Sequence, residues 1–217
     1  MGTRMKFCVI GLGRFGYQVA TVLAENGMEV MAIDSNEGII ASIRDQVTQA
    51  ICMRVIDEAS LRSVGIEEMD TVIVAMGENF AQSILVTALL KKRLNIQRVI
   101  ARAIDEIHKD ILKLVGADRV ILPEKEIGIR LADNLSSPFA DIVRLSKKFA
   151  ITQISAPHDF EGKTVSELDL YIKYHITCIG VKTDEKITPV GPDYVVHEND
   201  KLILSGQNED LEKITKL

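Results

Sequence analysis

From Lys6 to Leu122 short apolar runs alternate with stretches whose apolar residues recur at helical spacing, and that alternation sets the element order. Lys6–Ile10 is mostly apolar, the pattern of a strand buried on both faces. Phe15, Val19, Val22 and Leu23 then mark one face of a helix that stops at Gly27, and Val30–Ile33 is a second strand ending at Asp34. Ser35-Asn36-Glu37 caps a helix to about Arg44, Val47–Met53 is a third strand, and Asp57–Val64 is a helix closed by Gly65. Thr71–Ala75, β-branched and apolar, suits a central parallel strand. After the turn Gly77-Glu78-Asn79 a long helix runs to about Arg93. Arg98–Arg102 is the fifth strand, Glu106–Val115 its helix with a stop at Gly116, and Val120–Leu122 the sixth strand. Such alternation predicts right-handed βαβ crossovers and a doubly wound parallel sheet.

The pattern changes at Pro123. Glu124–Leu135 reads as one amphipathic helix, and Ser136-Ser137-Pro138 as its end and a hinge. Strands follow at Ala150–Ile154, Ile176–Lys182, Ile187–Pro189 and Lys201–Leu204, with hairpin-like returns. Gly162–Leu168 opens a short helix, Gly191-Pro192-Asp193 is a turn, and Asn208–Thr215 is a last helix. The chain thus divides into an α/β domain over residues 1–136 and a smaller α+β domain over 137–217. The strands of the second supply little core, so it is expected to self-associate through an apolar face, leaving a cleft between two copies.

Between the first strand and first helix stands Gly11-Leu12-Gly13-Arg14-Phe15-Gly16, a complete G-x-G-x-x-G. Gly11 permits the tight turn, Gly13 lets a pyrophosphate approach the backbone, and Gly16 lets the helix pack on the sheet, as in Rossmann-like folds. The helix N-terminus offers N–H groups and partial positive charge to phosphates. Asp34, at the end of the second strand, stands where a carboxylate accepts hydrogen bonds from a ribose diol and disfavours a 2′-phosphate. Strand, glycine loop, helix, second strand and acid together predict a nucleotide site. Gly162-Lys163-Thr164 is no phosphate loop, because Pro157 occupies the position of its first glycine.

The net charge of −5 over 217 residues argues against a nucleic-acid or anionic-membrane surface, and Lys91-Lys92-Arg93 and Lys147-Lys148 are too short to change that. No apolar stretch is long enough to span a membrane, and the N-terminal run leads into the glycine loop rather than a cleavage site. Met1–Arg4 precede a second methionine and read as a start-site remnant. Cys8, Cys52 and Cys178 each sit in an apolar run, the habit of buried free thiols. With His108, His158, His175 and His197 they form no zinc spacing, so a reduced, cytosolic protein is expected.

The order of these motifs resembles a known family. The loop at Gly11–Gly16 is followed by Asp57-Glu58-Ala59-Ser60-Leu61, Gly65-Ile66, Val72–Asn79, Val99-Ile100-Ala101-Arg102-Ala103, Gly116-Ala117-Asp118 and Pro123-Glu124. Completed by the small C-terminal domain, this is similar to the RCK proteins, cytosolic regulators of potassium conductance, and among them the regulatory subunits of bacterial Trk/Ktr potassium uptake. The resemblance implies N- and C-terminal RCK domains, dimers built into an octameric ring beneath a membrane-embedded transporter, and a ring shape set by ATP/ADP or NAD/NADH. It implies a divalent cation beside the nucleotide in some members, with Glu124 at that carboxylate's position. It also implies, in some bacteria, cyclic di-AMP in the C-terminal cleft, for which His175 and Gly191-Pro192 are the candidates here. One departure stands out: where many members have Gly-Asp-Ala-Thr, this chain has Met53-Arg54-Val55-Ile56, which places an arginine at the adenine end.

The cofactor-facing set is then Gly11, Gly13, Arg14, Phe15, Gly16, Asp34, Ser35, Arg54, Val55, Ala75, Gly77, Asn79 and Arg102, with Glu124 on the metal side. Four of these residues have a second reading. Arg14 suits a terminal phosphate but also an exposed helical turn, and Arg102 suits a phosphate, a partner's acid or a structural ion pair. Glu124 complements a helix dipole equally well, and Asn79 is a natural helix cap. Two other functions stand beside the regulatory one: an NAD-dependent oxidoreductase, and a nucleotide sensor without a transporter. The small C-terminal half offers three histidines but no acid or arginine cluster of the kind a dehydrogenase substrate domain presents.

Overall fold

The strand before the glycine loop, β1 (Lys6–Ile10), buries its last three residues. Its neighbours in the sheet are β2 (Glu29–Asp34) and β4 (Thr71–Val74). In this computed structural model, which describes residues 5–77, 79–136, 141–146, 148–183 and 186–214, β3 (Gln49–Cys52), β5 (Arg98–Arg102) and β6 (Arg119–Ile121) complete a parallel sheet ordered β3-β2-β1-β4-β5-β6. Alternate residues of each central strand enter opposite cores. Cys8, Ile10, Val72 and Val74 join one cluster, while Val9 and Ile73 join the other. The first core also takes Leu90 and Leu112, and the second Ala20, Ile40 and Ile43. Each such large side chain, fully buried, contributes about 1.5–3 kcal/mol.

The covering helices are α1 (Arg14–Glu25), α2 (Glu37–Ile43), α3 (Glu58–Ser63), α4 (Phe80–Ala88) and α5 (Glu106–Leu114), followed by α6 (Pro123–Ser136). Asn36, Asp57, Asn79 and Asp105 cap α2 to α5, each side chain accepting a first-turn N–H. The doubly wound parallel arrangement expected from the sequence is the one observed. Departures are local. Val22 is substantially exposed on α1 rather than packed inward. The helix expected to reach Arg93 gives way after Ala88 to a π turn over Leu89–Arg93, where Leu94 N–H bonds to the Leu89 carbonyl. Cys8 and Cys178 are buried as expected, but Cys52 is exposed because it ends the edge strand β3.

A second sheet is antiparallel, with five strands in the order β10-β9-β11-β8-β7. These are β7 (Asp141–Arg144), β8 (Phe149–Ser155), β9 (Thr177–Thr183), β10 (Lys186–Thr188) and β11 (Lys201–Gln207). Leu202, Leu204, Ile176, Val196 and Leu211 centre its core, with α7 (Leu170–Tyr174) and α8 (Asn208–Ile214). β7 has no counterpart in the sequence reading; it is a short edge strand defined by its pairing with β8. The helix expected to open at Gly162–Leu168 begins only at Leu170. The Glu167 carboxylate accepts from the Thr164 N–H (2.8 Å) and Thr164 bridges to Val195, which holds that stretch as turns.

The chain separates into two compact units, Met1–Glu126 and Ile127–Leu217, and the division falls within α6. Of the expected features, Met1–Arg4, Glu78, Lys147 and the Ser137-Pro138 part of the hinge lie outside the described residues.

Candidate functional site

At the carboxyl ends of the parallel strands, around the β1/β4 switch of direction, lies a cleft of about 1080 Å³. One wall is the glycine loop. Gly11 holds φ +90°, and a Cβ there would lie 2.9 Å from Met76 Cγ; a Cβ on Gly16 would overlap the Gly11 carbonyl oxygen. Gly11 N–H donates to the Ile33 carbonyl (2.8 Å), tying the loop to β2. Gly13 faces open space, so its backbone remains reachable. Unlike α2 to α5, α1 has no side-chain cap, and its first N–H groups are left for something else.

Asp34, partly exposed, stands at the end of β2 on the cleft wall. Its carboxylate accepts from the Leu12 N–H (2.7 Å) and from the Asn36 N–H (2.9 Å). The acid thus also fixes the glycine loop against β2, a role the sequence did not disclose. Next to it come Ser35, Met53, Arg54 and the buried Val55. Arg14 and Arg54 are both exposed, and neither has an ion-pair or hydrogen-bond partner among the described residues.

The opposite side is built by the ends of β4, β5 and β6. Asn79 lines the cleft and also caps α4, accepting from the Gln82 N–H (3.1 Å). Arg102 pairs with Glu124, lies with Cζ 6.0 Å from the centre of the Phe15 ring, and packs where a Gly77 side chain would stand. Its Nε is buried without a hydrogen-bond partner among the described residues. The ion-pair reading of Arg102 is therefore realised within the chain. For Glu124, its own N–H in the first turn of α6, then the Arg102 guanidinium, hold the carboxyl below the usual carboxylate range against the opposing effect of burial. Among the described residues no three His, Cys, Asp or Glu side chains converge as a metal site. One carboxylate already paired with an arginine does not by itself fit a divalent cation.

All the candidates of the cofactor-facing set, and Glu124, line this cleft except Gly16, which is buried behind the loop it supports. The sequence reading missed Asn36, Ile39, Met53, Met76, Gln82 and Ile104 on the same walls. Gln82 had a usable signal, standing three residues after the Asn79 cap; Ile104 had none. His108, fully buried, stacks on Phe80 at 4.3 Å and accepts from the Ile104 N–H through Nδ1 (3.4 Å), holding that edge in place. Burial lowers its pKa, opposed by the nearby Asp105 charge.

Comparison with known proteins agrees with this geometry. Residues 7–123 match the TrkA-N domain and residues 151–217 the TrkA-C domain. The chain is 33% identical over 216 residues to Ktr system potassium uptake protein C of Bacillus subtilis, covering 98% of this chain and 97% of that protein. It is 34% identical over 211 residues to Ktr system potassium uptake protein A of the same organism, covering 96% and 94%. Among solved structures, the GsuK channel bound to NAD superposes with a TM-score of 0.54 at 23% identity, covering 100% of this chain and 38% of that one. With both domain matches in chain order and relatives matched along nearly their whole length, this chain belongs to the TrkA-N/TrkA-C family of Ktr and Trk potassium-uptake proteins.

Proposed function

We propose that this chain is the nucleotide-sensing regulatory subunit of a potassium-uptake system, cytoplasmic and held at the inner face of the membrane by its transporter partner. Among the described residues no helix is long and apolar enough to cross a membrane, so conduction falls to that partner. Residues 1–136 form the nucleotide-binding RCK domain and 137–217 the C-terminal RCK domain. The observation that carries this reading is one cleft uniting an uncapped helix N-terminus, the Asp34 carboxylate and a free Arg14. The N–H groups of α1 suit a diphosphate, Asp34 suits a ribose diol, and Arg14 suits a further, terminal phosphate. The ligand is ATP/ADP or NAD/NADH.

Regulation follows if the ligand binds two conformations unequally. A terminal phosphate adds charge beside Arg14 and competes with Glu124 for Arg102, and Glu124 stands in the first turn of α6. Exposed Ile127, Ile129 and Leu131 on α6 supply apolar surface for a second copy, so a change there reaches the dimer and the octameric ring built from it. Exposed Tyr171 and Ile172 of α7 give the C-terminal domain a comparable surface, and a second effector such as cyclic di-AMP belongs in the cleft between two such domains. A divalent cation beside Glu124 would need oxygens from the nucleotide phosphates and a second chain. The reading is of a binding protein and not an enzyme. The described lining residues include no histidine, lysine or cysteine, and both lining acids are engaged, Asp34 by backbone N–H groups and Glu124 by Arg102.

Calorimetry of the full chain with ATP, ADP, NADH and NAD is the test. Saturable binding of at least one of them is expected, with different heats for ligands that do and do not carry a terminal phosphate. Absence of binding by all four overturns the proposal.

A further inference from the structure

Arg14 and Arg54 are the two exposed, unpartnered arginines on the cleft wall, and their surroundings differ. Arg14 opens α1, whose first N–H groups are uncapped, so a phosphate there meets several donors at once. Near Arg54 several donors are already spent. Leu12 N–H and Asn36 N–H serve the Asp34 carboxylate, at 2.7 and 2.9 Å. Gly38 N–H and Ile39 N–H serve Asn36 Oδ1, at 2.9 and 3.2 Å, and Met53 N–H serves the Asp34 carbonyl at 2.8 Å. A phosphate at this end would have to do without the donors that these bonds already use, whereas at Arg14 the helix N-terminus still offers its own.

The wall beside Arg54 carries apolar side chains as well as polar ones, and its main chain is held in place. Ile39 and Met53 line the wall on its side of the cleft. The backbone about it is pinned on both flanks: by the Met53 bond, by Gln82 Nε2 donating to the Val55 carbonyl, and by Ile56 N–H donating to Ser60 Oγ (3.3 Å). A held main chain therefore presents a planar cation, unpartnered among the described residues, beside the Ile39 and Met53 side chains and next to the carboxylate that suits a ribose. That combination fits the face of an aromatic base, over which a guanidinium gains both stacking and cation–π attraction.

We infer that Arg54 is a specificity-determining residue that lies over the adenine ring of the bound nucleotide, while Arg14 serves its phosphates. The inference rests on the nucleotide reading of the cleft. Because the base is common to AMP, ADP, ATP and NADH, Arg54 sets affinity for adenine ligands as a class and does not count phosphates.

Calorimetry of the wild-type chain and of Arg54→Ala with AMP, ADP, ATP, NADH and NADPH tests it. The side chain is exposed and unpartnered, so the variant keeps the fold, which an unchanged unfolding transition verifies. The expected result is a loss of roughly 3- to 30-fold, the same factor for every ligand the wild type binds. A loss that grows from AMP to ATP, a loss confined to NADPH, or unchanged affinities would each overturn the base contact. A wild-type chain that binds none of the five overturns the underlying reading instead, and does so without reference to the variant.

Discussion

The two ends of the parallel sheet each carry a depression, and they differ in what their walls leave unsatisfied. At the amino ends of the strands a recess of about 310 Å³ is lined by Lys6, Glu29, Thr48, Glu68 and their neighbours. Its lysine and two of its backbone N–H groups are already matched. Lys6 Nζ pairs with Glu68 (3.3 Å), Lys6 N–H donates to Asp70 (2.7 Å), and Val30 N–H donates to Thr48 Oγ1 (3.0 Å). At the carboxyl ends the larger cleft keeps an uncapped helix, two free guanidinium groups and a buried Arg102 Nε without a partner. Concavity occurs at both ends. An uncapped helix N-terminus stands at one of them, because a βαβ unit points helix N-termini toward the carboxyl ends of its strands.

The largest effect should come from closing the glycine loop. In Gly16→Ala the new methyl overlaps the Gly11 carbonyl oxygen, so the loop must shift. We expect the fold to lose about 1–3 kcal/mol in urea denaturation. Nucleotide binding should fall below detection; wild-type affinity would show that the loop does not form the phosphate wall. Next comes Asp34→Ala, which removes both the proposed ribose acceptor and the partner of the Leu12 N–H. A loss of about 1.5–3 kcal/mol for all adenine nucleotides is expected by calorimetry. Equal affinity would remove Asp34 from the site.

A smaller effect concerns His108, which braces Ile104 at the cleft edge. Its folded pKa lies below the ordinary 6.5, so the unfolded chain takes up a proton first as pH falls. Stability contributed by the neutral ring is thus fully present above about 6.5 and is lost as pH drops from there toward the lowered folded value. Urea midpoints should fall between pH 7.5 and pH 5.5, less steeply in His108→Gln, and an identical slope in the variant would refute the assignment. The smallest effect should be at the other end of the sheet. Glu68→Ala breaks only an exposed ion pair, worth about 0–1 kcal/mol, and should leave nucleotide affinity unchanged. A weakened affinity would mean that the amino-end recess communicates with the cleft.

The contrast between the two units shows where sequence reading holds. In the first, β1, β4 and β5 are short apolar runs bounded by glycines and capping residues, and each was found within about a residue of its observed ends. In the second, β7 has no strong pattern, and Gly162–Leu168 has the pattern of a helix start but forms turns. Their conformations are fixed by non-local partners, β8 for the strand and the Tyr194–Val196 segment for the turns.

By itself the sequence determined the parallel α/β architecture, the glycine loop, the acid at the end of β2 and the family resemblance. Each of these is written in contiguous residues, where apolar periodicity, glycine and capping side chains act on their immediate neighbours. Only the tertiary structure decided how the charged groups are spent. Asp34 gives its carboxylate to the glycine loop as well as facing the cleft, and Arg102 gives its guanidinium to Glu124. Gln82 holds the loop that carries Arg54, and His108 holds Ile104, while Arg14 and Arg54 alone among the lining arginines stay free. Whether a long polar side chain is free or committed depends on what other strands and helices bring within about 3 Å of it, and that proximity between residues remote in sequence comes only with the fold.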